Sequence, residues 1–176
     1  MRVIGGRSRG RRLAAKLPAT VRPTSDRVRE SIFDILGSQG GVVGLSVVDL
    51  FCGSGAMGLE ALSRGAASAT FVDKDPDALG AVKTNLDAVG LGEEPTTLVR
   101  ATLPGWLAGS PEFDLALCDP PYDYDGWPDL LAVLRAERIV MESSAEIALP
   151  DGWMVTRARR YGSTLVTVAQ RSDMDS

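Results

Sequence analysis

Residues 49–58 read DLFCGSGAMG, and this stretch decides the fold. It lies between an apolar run predicted as a β-strand and a stretch predicted as an α-helix. Its glycines Gly53, Gly55 and Gly58 match the pattern G-x-G-x-x-G, in which the missing side chains let the backbone approach a ligand closely. Asp73 follows Gly53 by twenty residues, at the end of the next predicted strand, where a carboxylate can accept hydrogen bonds from a ribose. The stretch therefore predicts a Rossmann-like α/β fold with a site for an adenosine-containing cofactor.

Apolar runs and helical stretches alternate along the rest of the chain. The predicted strands of the main sheet are residues 47–51, 70–73, 96–100, 113–118 and 139–142. The predicted helices between them are residues 57–64, 77–89 and 128–134. Such alternation is typical of a mostly parallel sheet with helices on both faces. Two final strands, 153–157 and 164–169, have only a short turn at Tyr161-Gly162 between them, which predicts a C-terminal antiparallel hairpin.

A further helix is predicted just before this alternation. It begins after Thr24 or Ser25, either of which can cap its first turn, and it ends at Gly37. At the other end of the chain, the residues from Arg171 or Ser172 to Ser176 are expected to fray.

The composition excludes several kinds of chemistry. The chain has 176 residues, enough for one domain with a small extension, and it contains no histidine. Catalysis by a Ser-His-Asp triad and metal sites built on histidine are therefore excluded. The two cysteines, Cys52 and Cys118, do not form a disulfide framework, and we expect both thiols to be reduced and buried. No apolar run is long enough to span a membrane, and the N-terminus lacks a signal peptide, so we expect a cytoplasmic protein. We also expect a monomer that binds no metal.

Positive charge is concentrated at the N-terminus. Residues 1–30 contain nine of the 19 Lys and Arg residues but only two of the 23 Asp and Glu residues. Residues 1–13, MRVIGGRSRGRRL, alternate apolar residues, glycines and arginines, which predicts a small basic β-hairpin laid on nucleic-acid phosphates. We predict a nucleic-acid-binding extension at 1–22, a main domain at 23–171 and a frayed end at 172–176. The candidate phosphate contacts are Arg7, Arg9, Arg11, Arg12 and Arg22. The alternative is a solvated arm without a partner.

Asp49 distinguishes between two classes of cofactor. It lies four residues before Gly53, where a carboxylate beside a pyrophosphate would meet like charge. S-adenosylmethionine has no phosphate at this place and carries cationic ammonium and sulfonium groups, which a carboxylate favours. Methyl transfer is therefore favoured over hydride transfer. The alternative role for Asp49 is to cap the glycine loop.

Residues 118–123 read CDPPYD and follow a predicted strand. Pro120 and Pro121 cannot continue a central strand, because they lack the N–H groups that strand pairing needs. The Asp119 carboxylate and the Pro120 carbonyl can accept both N–H hydrogens of an exocyclic amine, which frees the nitrogen lone pair for attack, and the prolines fix this geometry. The ring of Tyr122 offers a face on which an extruded base can stack. No histidine is needed, since the amine loses its proton after the attack. The alternative is a rigid turn with an exposed tyrosine.

These motifs together resemble those of class I S-adenosylmethionine-dependent amino-methyltransferases. The likeness is carried by residues 49–66 (DLFCGSGAMGLEALSRGA), 71–75 (FVDKD) and 118–122 (CDPPY). Two N-terminal stretches narrow the resemblance to the RsmD-type 16S rRNA guanine-N2 methyltransferases. They are residues 3–13 (VIGGRSRGRRL) and 22–36 (RPTSDRVRESIFDIL). The likeness covers nearly the whole chain, from Arg2 to about Ala169.

The resemblance implies S-adenosylmethionine as the cofactor, and 16S rRNA or the small ribosomal subunit as the partner. It places the methionine end of the cofactor at Asp49, Gly53 and Gly55, and the ribose at Asp73. The implied cofactor-binding residues are Asp49, Phe51, Gly53, Gly55, Asp73, Lys74, Ala101 and Thr102. The implied methyl-acceptor residues are Asp119, Pro120, Pro121 and Tyr122.

One position departs from the family pattern. Arg100 stands where the superfamily often has Asp or Asn in contact with the adenine amine. Adenine recognition is therefore expected from the backbone at Ala101 and Thr102. The alternatives left open are a DNA adenine-N6 methyltransferase, a protein glutamine methyltransferase, and a nucleic-acid-binding module without activity.

Overall fold

A computed structural model describes residues 1–15 and 24–172 of the chain. The helices are α1 (Asp26–Ser38), α2 (Ala56–Ser63), α3 (Pro76–Ala88) and α4 (Trp127–Val133), with a 3-10 helix at Gly105–Gly109. The strands are β1 (Ser46–Leu50), β2 (Ser68–Asp73), β3 (Thr96–Arg100), β4 (Phe113–Cys118), β5 (Ala136–Ser143), β6 (Trp153–Tyr161) and β7 (Thr164–Arg171). Within the described ranges, no helix has the length and apolar character needed to cross a membrane.

The strands form one sheet in the order β3-β2-β1-β4-β5-β7-β6. Strands β1 to β5 pair in parallel, whereas β7 is antiparallel to β5 and β6 is antiparallel to β7. This confirms the predicted Rossmann-like class I methyltransferase sheet with its C-terminal antiparallel hairpin. The chain reverses its direction of travel across the sheet between β1 and β4. In open α/β sheets, ligands bind beyond the carboxyl ends of the strands at such a point.

Local sequence patterns predicted most element bounds well. The strands predicted at 96–100 and 113–118 have those bounds. Of the two predicted caps for the first helix, Ser25 is the one observed, because its hydroxyl accepts a hydrogen bond from the Val28 N–H. The helix nevertheless runs past Gly37, and the 3-10 helix was not predicted.

The predicted fraying of the C-terminus is wrong for Arg171 and Ser172. Arg171 ends β7, donates a hydrogen bond to the Leu134 carbonyl at 2.6 Å, and lies 4.1 Å from the centre of the Trp153 ring. The Ser172 N–H donates to the Gly152 carbonyl. These contacts tie the chain end to its neighbours. Residues 173–176 lie outside the described part of the chain.

The helices cover the two faces of the sheet unevenly. On one face, α1 packs Ile32, Phe33 and Leu36 against buried side chains of the central strands, and α2 and α3 lie beside it. On the other face, α4 and the 3-10 helix cover the sheet. Burying a large apolar side chain contributes about 1.5–3 kcal/mol, so these two layers provide most of the stabilisation.

The N-terminal residues form the predicted small hairpin, which is packed on the body. An antiparallel bridge joins Arg2 and Arg12, and the Val3 N–H donates to the Arg11 carbonyl at 2.9 Å. The hairpin lies on α2, where the Glu60 carboxylate accepts hydrogen bonds from two of its backbone N–H groups. At Gly6 a Cβ atom would lie 1.9 Å from the Ser63 carbonyl oxygen, so only glycine permits this close approach.

Candidate active site

The glycine loop between β1 and α2 has an unusual backbone. Phe51 has a φ of 56°, in the left-handed region that a bulky residue rarely occupies. Gly53 and Gly55 also have positive φ values, of 52° and 81°. A Cβ atom at Gly55 would lie 2.9 Å from a methyl group of Val82. Strained backbone of this kind is often found at ligand sites, and here it presents the loop at the carboxyl end of β1.

Asp73 holds this loop in place from the end of β2. One of its carboxylate oxygens accepts a hydrogen bond from the Gly53 N–H at 3.0 Å, and the other accepts from the Asp75 N–H at 3.0 Å. The Ala101 N–H donates to the Asp73 carbonyl at 3.1 Å. The sheet therefore brings the predicted ribose ligand, the glycine loop and the predicted adenine-binding turn together.

Two further predicted cofactor residues lie at the same edge of the sheet. Lys74 and Thr102 follow the ends of β2 and β3 and are exposed. Arg100 is also exposed, and its guanidinium donates to the Lys74 carbonyl at 3.4 Å. Its side chain is thus directed along the surface, and the backbone of Ala101 and Thr102 remains the predicted contact for adenine.

Asp49 is buried, with 2% of its surface exposed. Its carboxylate accepts a hydrogen bond from the Gly58 N–H at 2.9 Å, which is the loop-capping contact that the sequence left open. Burial raises the pKa of Asp49 well above its usual value, and the charges of Asp119 and Asp73 raise it further. These carboxylates therefore act on one another electrostatically, although they come from three different strands.

The DPPY turn, residues 119–122, follows β4. Pro120 is buried, whereas Pro121 and Tyr122 are exposed, and Tyr122 exposes 76% of its surface. A ring this accessible is free to stack on a ligand. The Tyr124 N–H closes the turn by donating to the Pro121 carbonyl at 2.9 Å.

Thr24 and Glu142 also belong to this site, and sequence reasoning did not select them. The Thr24 hydroxyl lies 2.7 Å from a carboxylate oxygen of Asp119. The same hydroxyl lies 3.1 Å and 3.2 Å from the two carboxylate oxygens of Glu142. One signal was available for Glu142, which is a carboxylate at the end of a predicted buried strand, whereas the sequence did not decide between Thr24 and Ser25 as the cap of α1.

The two carboxyl groups around Thr24 compete for one hydroxyl hydrogen. Glu142 is 7% exposed, and burial, followed by the charge of Asp119, raises the pKa of Glu142 to about 8. Burial also raises the pKa of Asp119. A protonated Glu142 can donate to the Thr24 oxygen while Thr24 donates to Asp119 over the shorter distance. The hydrogen bond from Thr24 opposes the rise in the pKa of Asp119.

Aromatic side chains connect the glycine loop with the segment after the DPPY turn. The ring centres of Phe51 and Tyr124 are 5.1 Å apart, and those of Tyr124 and Trp127 are 5.4 Å apart, both in edge-on geometry. Such pairs contribute about 0.5–1.5 kcal/mol each beyond their burial. They couple the position of the loop to that of the turn.

The predicted phosphate-binding arginines are spread along the hairpin, and the hairpin tip lies away from these residues. The Arg7 N–H donates to the Ser63 carbonyl and the Ser8 hydroxyl donates to the Val89 carbonyl, so the hairpin tip contacts the C-terminal ends of α2 and α3. A helix of 13 residues such as α3 is about 20 Å long, so the tip is about that far from the carboxyl edge of the sheet. Arg7 pairs with Glu94. The other three candidates in the described residues, Arg9, Arg11 and Arg12, are exposed, and Arg22 lies outside the described part of the chain.

Comparisons with known proteins agree with this geometry. The family model described as conserved hypothetical protein 95 matches residues 1–170. Ribosomal RNA small subunit methyltransferase D of Escherichia coli K12 is 33% identical over 163 residues, which cover 92% of this chain and 73% of that protein. The protein of the same name from Haemophilus influenzae is 27% identical, with coverage of 92% and 89%. The solved structure of a hypothetical protein from Thermus thermophilus has a TM-score of 0.79 and 32% identity, covering 96% of this chain and 98% of that chain.

Proposed function

This chain belongs to the family described as conserved hypothetical protein 95, and from that premise we propose that it methylates small-subunit ribosomal RNA. The methyl donor is S-adenosylmethionine, and the acceptor is the exocyclic N2 amine of a guanine in 16S rRNA. The names of two relatives that match 92% of this chain support the substrate class. A ribosomal RNA substrate places the enzyme in the cytoplasm.

The residues at the carboxyl ends of β1 and β2 fit the proposed cofactor. Asp73 is partly exposed and would accept hydrogen bonds from the ribose, while Gly53 and Gly55 leave the loop backbone free of side chains. Asp49 lies behind the loop and would favour the cationic methionine end. When bound, S-adenosylmethionine supplies the electrophilic methyl group.

The proposed methyl acceptor rests on one observation, the pair of carboxyl groups joined by Thr24. Asp119 and Glu142 together offer more acceptor oxygens than the Thr24 hydroxyl can supply with hydrogens. Guanine presents adjacent N–H donors at N1 and N2, whereas adenine presents an acceptor at N1 beside its amine. The Asp119 carboxylate, which only accepts hydrogen bonds when ionised, therefore suits guanine better than adenine.

The same residues account for the proton in the reaction. Asp119 and the Pro120 carbonyl would accept the two N–H hydrogens of the amine, which frees its lone pair to form the new N–C bond while the bond between the methyl group and the sulfonium sulfur breaks and S-adenosylhomocysteine leaves. Once the nitrogen is methylated it loses one proton to Asp119. Asp119 then holds this proton until solvent removes it.

The proposal is tested by transfer of tritium from labelled S-adenosylmethionine to small-subunit rRNA, to duplex DNA and to bulk protein. We expect the label only in rRNA, and digestion to nucleosides should recover it as N2-methylguanosine. Label in adenine of duplex DNA, or in protein, would contradict the proposal.

Two variants distinguish the methyl-acceptor residues from the cofactor-binding residues. Asp119→Ala should lower kcat by at least about 100-fold while the dissociation constant for S-adenosylmethionine stays within a few-fold, because its contacts are with the reacting amine. Asp73→Ala serves as the matched control and should raise that dissociation constant about 10- to 100-fold, as measured by calorimetry. Full turnover in folded Asp119→Ala would remove the DPPY turn from the mechanism.

A further inference from the structure

The edge strand β6 has a basic surface that the reaction does not use. Its sequence is WMVTRARRY, with three arginines and no acidic residue. Arg157, Arg159 and Arg160 are all exposed. Beyond residue 30 the chain has an excess of acidic residues, so this cluster stands out from its surroundings.

None of these three arginines pairs with a carboxylate in the described part of the chain, whereas Arg2, Arg7 and Arg135 each do. Two of them contact uncharged groups instead. The Arg159 guanidinium lies 5.3 Å from the centre of the Tyr161 ring, and Arg160 donates to the Ser144 carbonyl at 3.2 Å. The full positive charge of the cluster is therefore available to a partner.

Sheet register places these arginines toward the edge of the sheet that carries the acceptor turn, with Arg157 and Arg159 on one face of β6 and Arg160 on the other. Tyr161 pairs with Thr164, and Leu165 pairs with Ser143 at the end of β5. The C-terminal end of β6 therefore lies at the same edge as the ends of β4 and β5. Three strand spacings separate β4 from β6, or about 14 Å at the usual distance between strands.

We propose that Arg157, Arg159 and Arg160 bind phosphates of the substrate RNA beside the methyl-acceptor site. The inference rests on the proposed activity toward rRNA and adds a second contact surface to it. Guanidinium groups match the geometry of phosphate oxygens, and phosphate contacts set the register of a nucleic acid on a protein. The hairpin tip contacts the opposite edge of the sheet, so the β6 cluster is better placed to orient the target nucleotide.

The competing explanation is that the arginines only protect an exposed edge strand from pairing with another chain, since charged side chains commonly have that role. Glutamates at the three positions keep such protection but repel phosphate. Lysines keep both the protection and the positive charge. The two triple variants therefore separate the explanations.

The experiment measures binding of small-subunit rRNA to wild type and to both triple variants by filter binding at several salt concentrations. We expect Arg157→Glu/Arg159→Glu/Arg160→Glu to weaken binding at least tenfold and to reduce the log–log salt slope by about two units, given roughly 0.7–0.9 per phosphate contact. The triple Lys variant should stay within a few-fold of wild type. Affinity for S-adenosylmethionine should be unchanged in both.

A single-charge control excludes a general effect of net charge. Arg135 is exposed at the amino end of β5, so Arg135→Glu should leave rRNA binding unchanged, while Arg159→Glu should weaken it. Equal losses in these two variants would overturn the proposal, and so would wild-type affinity and slope in the triple Glu variant. Methylation of rRNA by the wild type tests the proposed function separately, because it does not depend on these variants.

Discussion

Thr24 lies between two carboxyl groups, and its distances to them decide how they share charge. Its hydroxyl is closer to Asp119, at 2.7 Å, than to Glu142, at 3.1 Å and 3.2 Å. The shorter distance favours a hydrogen bond from the Thr24 hydroxyl to Asp119, and a neutral Glu142 would avoid the repulsion of two neighbouring anions. Burial and the Asp119 charge raise the pKa of Glu142 to about 8, in agreement with this arrangement.

This pKa predicts a pH-dependent effect of Glu142→Gln. The pKa of Glu142 rises from 4.5 to about 8 in the folded protein. The folded state therefore gains stability from the bound proton below pH 4.5 and loses it as the pH rises through 8. The glutamine side chain does not titrate, so the stability of the variant relative to wild type should increase as the pH rises from 4.5 to about 8. Thermal unfolding followed by circular dichroism measures the difference in Tm.

The exposed neighbour Glu146 provides the control. Glu146→Gln makes the same change of charge without burial, so its difference in Tm from wild type should stay constant over this pH range. Parallel Tm curves for wild type and Glu142→Gln would show that Glu142 titrates normally in the folded protein.

At the scale of elements, Glu60 connects the N-terminal hairpin with two helices. It is 1% exposed and accepts hydrogen bonds from the Ile4 N–H at 2.9 Å, the Gly5 N–H at 2.7 Å and the Arg64 guanidinium at 2.9 Å. The buried guanidinium of Arg29 in α1 lies 3.6 Å away. One carboxylate therefore holds the hairpin, α1 and α2 together.

Glu60→Gln should weaken this junction. The amide NH2 group cannot accept a hydrogen bond from the hairpin backbone, and Arg29 loses one of its two carboxylate neighbours. Breaking a buried ion pair costs about 3–5 kcal/mol, and we expect about 3 because Asp26 still pairs with Arg29. Urea unfolding measures this loss, and hydrogen exchange should show faster exchange at the Ile4 and Gly5 amides.

Glu30→Gln, on the exposed side of α1, is the matched control and should change the unfolding free energy by less than about 0.5 kcal/mol. If the amides of Ile4 and Gly5 exchange at wild-type rates in Glu60→Gln, the hairpin is held by other contacts.

At the scale of the whole molecule, basic groups lie on two separate parts of the surface. The hairpin arginines lie over α2 and α3, with the tip near the amino edge of the sheet, and the β6 arginines lie at the far end of the sheet. The proposed chemistry takes place between them, at the carboxyl ends of β1 and β4. Phosphate contacts on both flanks would hold a large RNA across the site without contacting the reacting base.

Arg9→Ala/Arg11→Ala/Arg12→Ala should flatten the salt dependence of rRNA binding. Each phosphate contact contributes a log–log slope of roughly −0.7 to −0.9, so the slope should fall by about two to three units if all three arginines bind phosphates. Filter binding across salt concentrations measures the slope. Calorimetry should find the wild-type affinity for S-adenosylmethionine, because Asp49 and Asp73 are untouched.

A triple Lys variant at the same positions keeps the charge and should keep most of the slope. An unchanged slope in the Ala variant would mean that the hairpin is a structural element and that other surfaces bind the RNA.

Local patterns in the sequence determined the fold class and most of the candidate site. Glycine spacing in residues 49–58 predicted the loop, because positive φ values and close approach demand glycine at particular positions. The alternation of apolar runs predicted the parallel sheet, and the prolines of the DPPY turn predicted where β4 ends. All of these depend on residues that are close together in the chain.

Only the tertiary structure decided which distant side chains meet. Thr24 is 95 residues from Asp119 and 118 residues from Glu142, and no periodicity relates these positions. Strand register and helix packing likewise decide that the hairpin binds Glu60 and that the β6 arginines lie toward the edge with the acceptor turn. Contacts of this kind follow from how the whole core is buried, because a pattern along the chain specifies which face a residue occupies but not its partner across the fold.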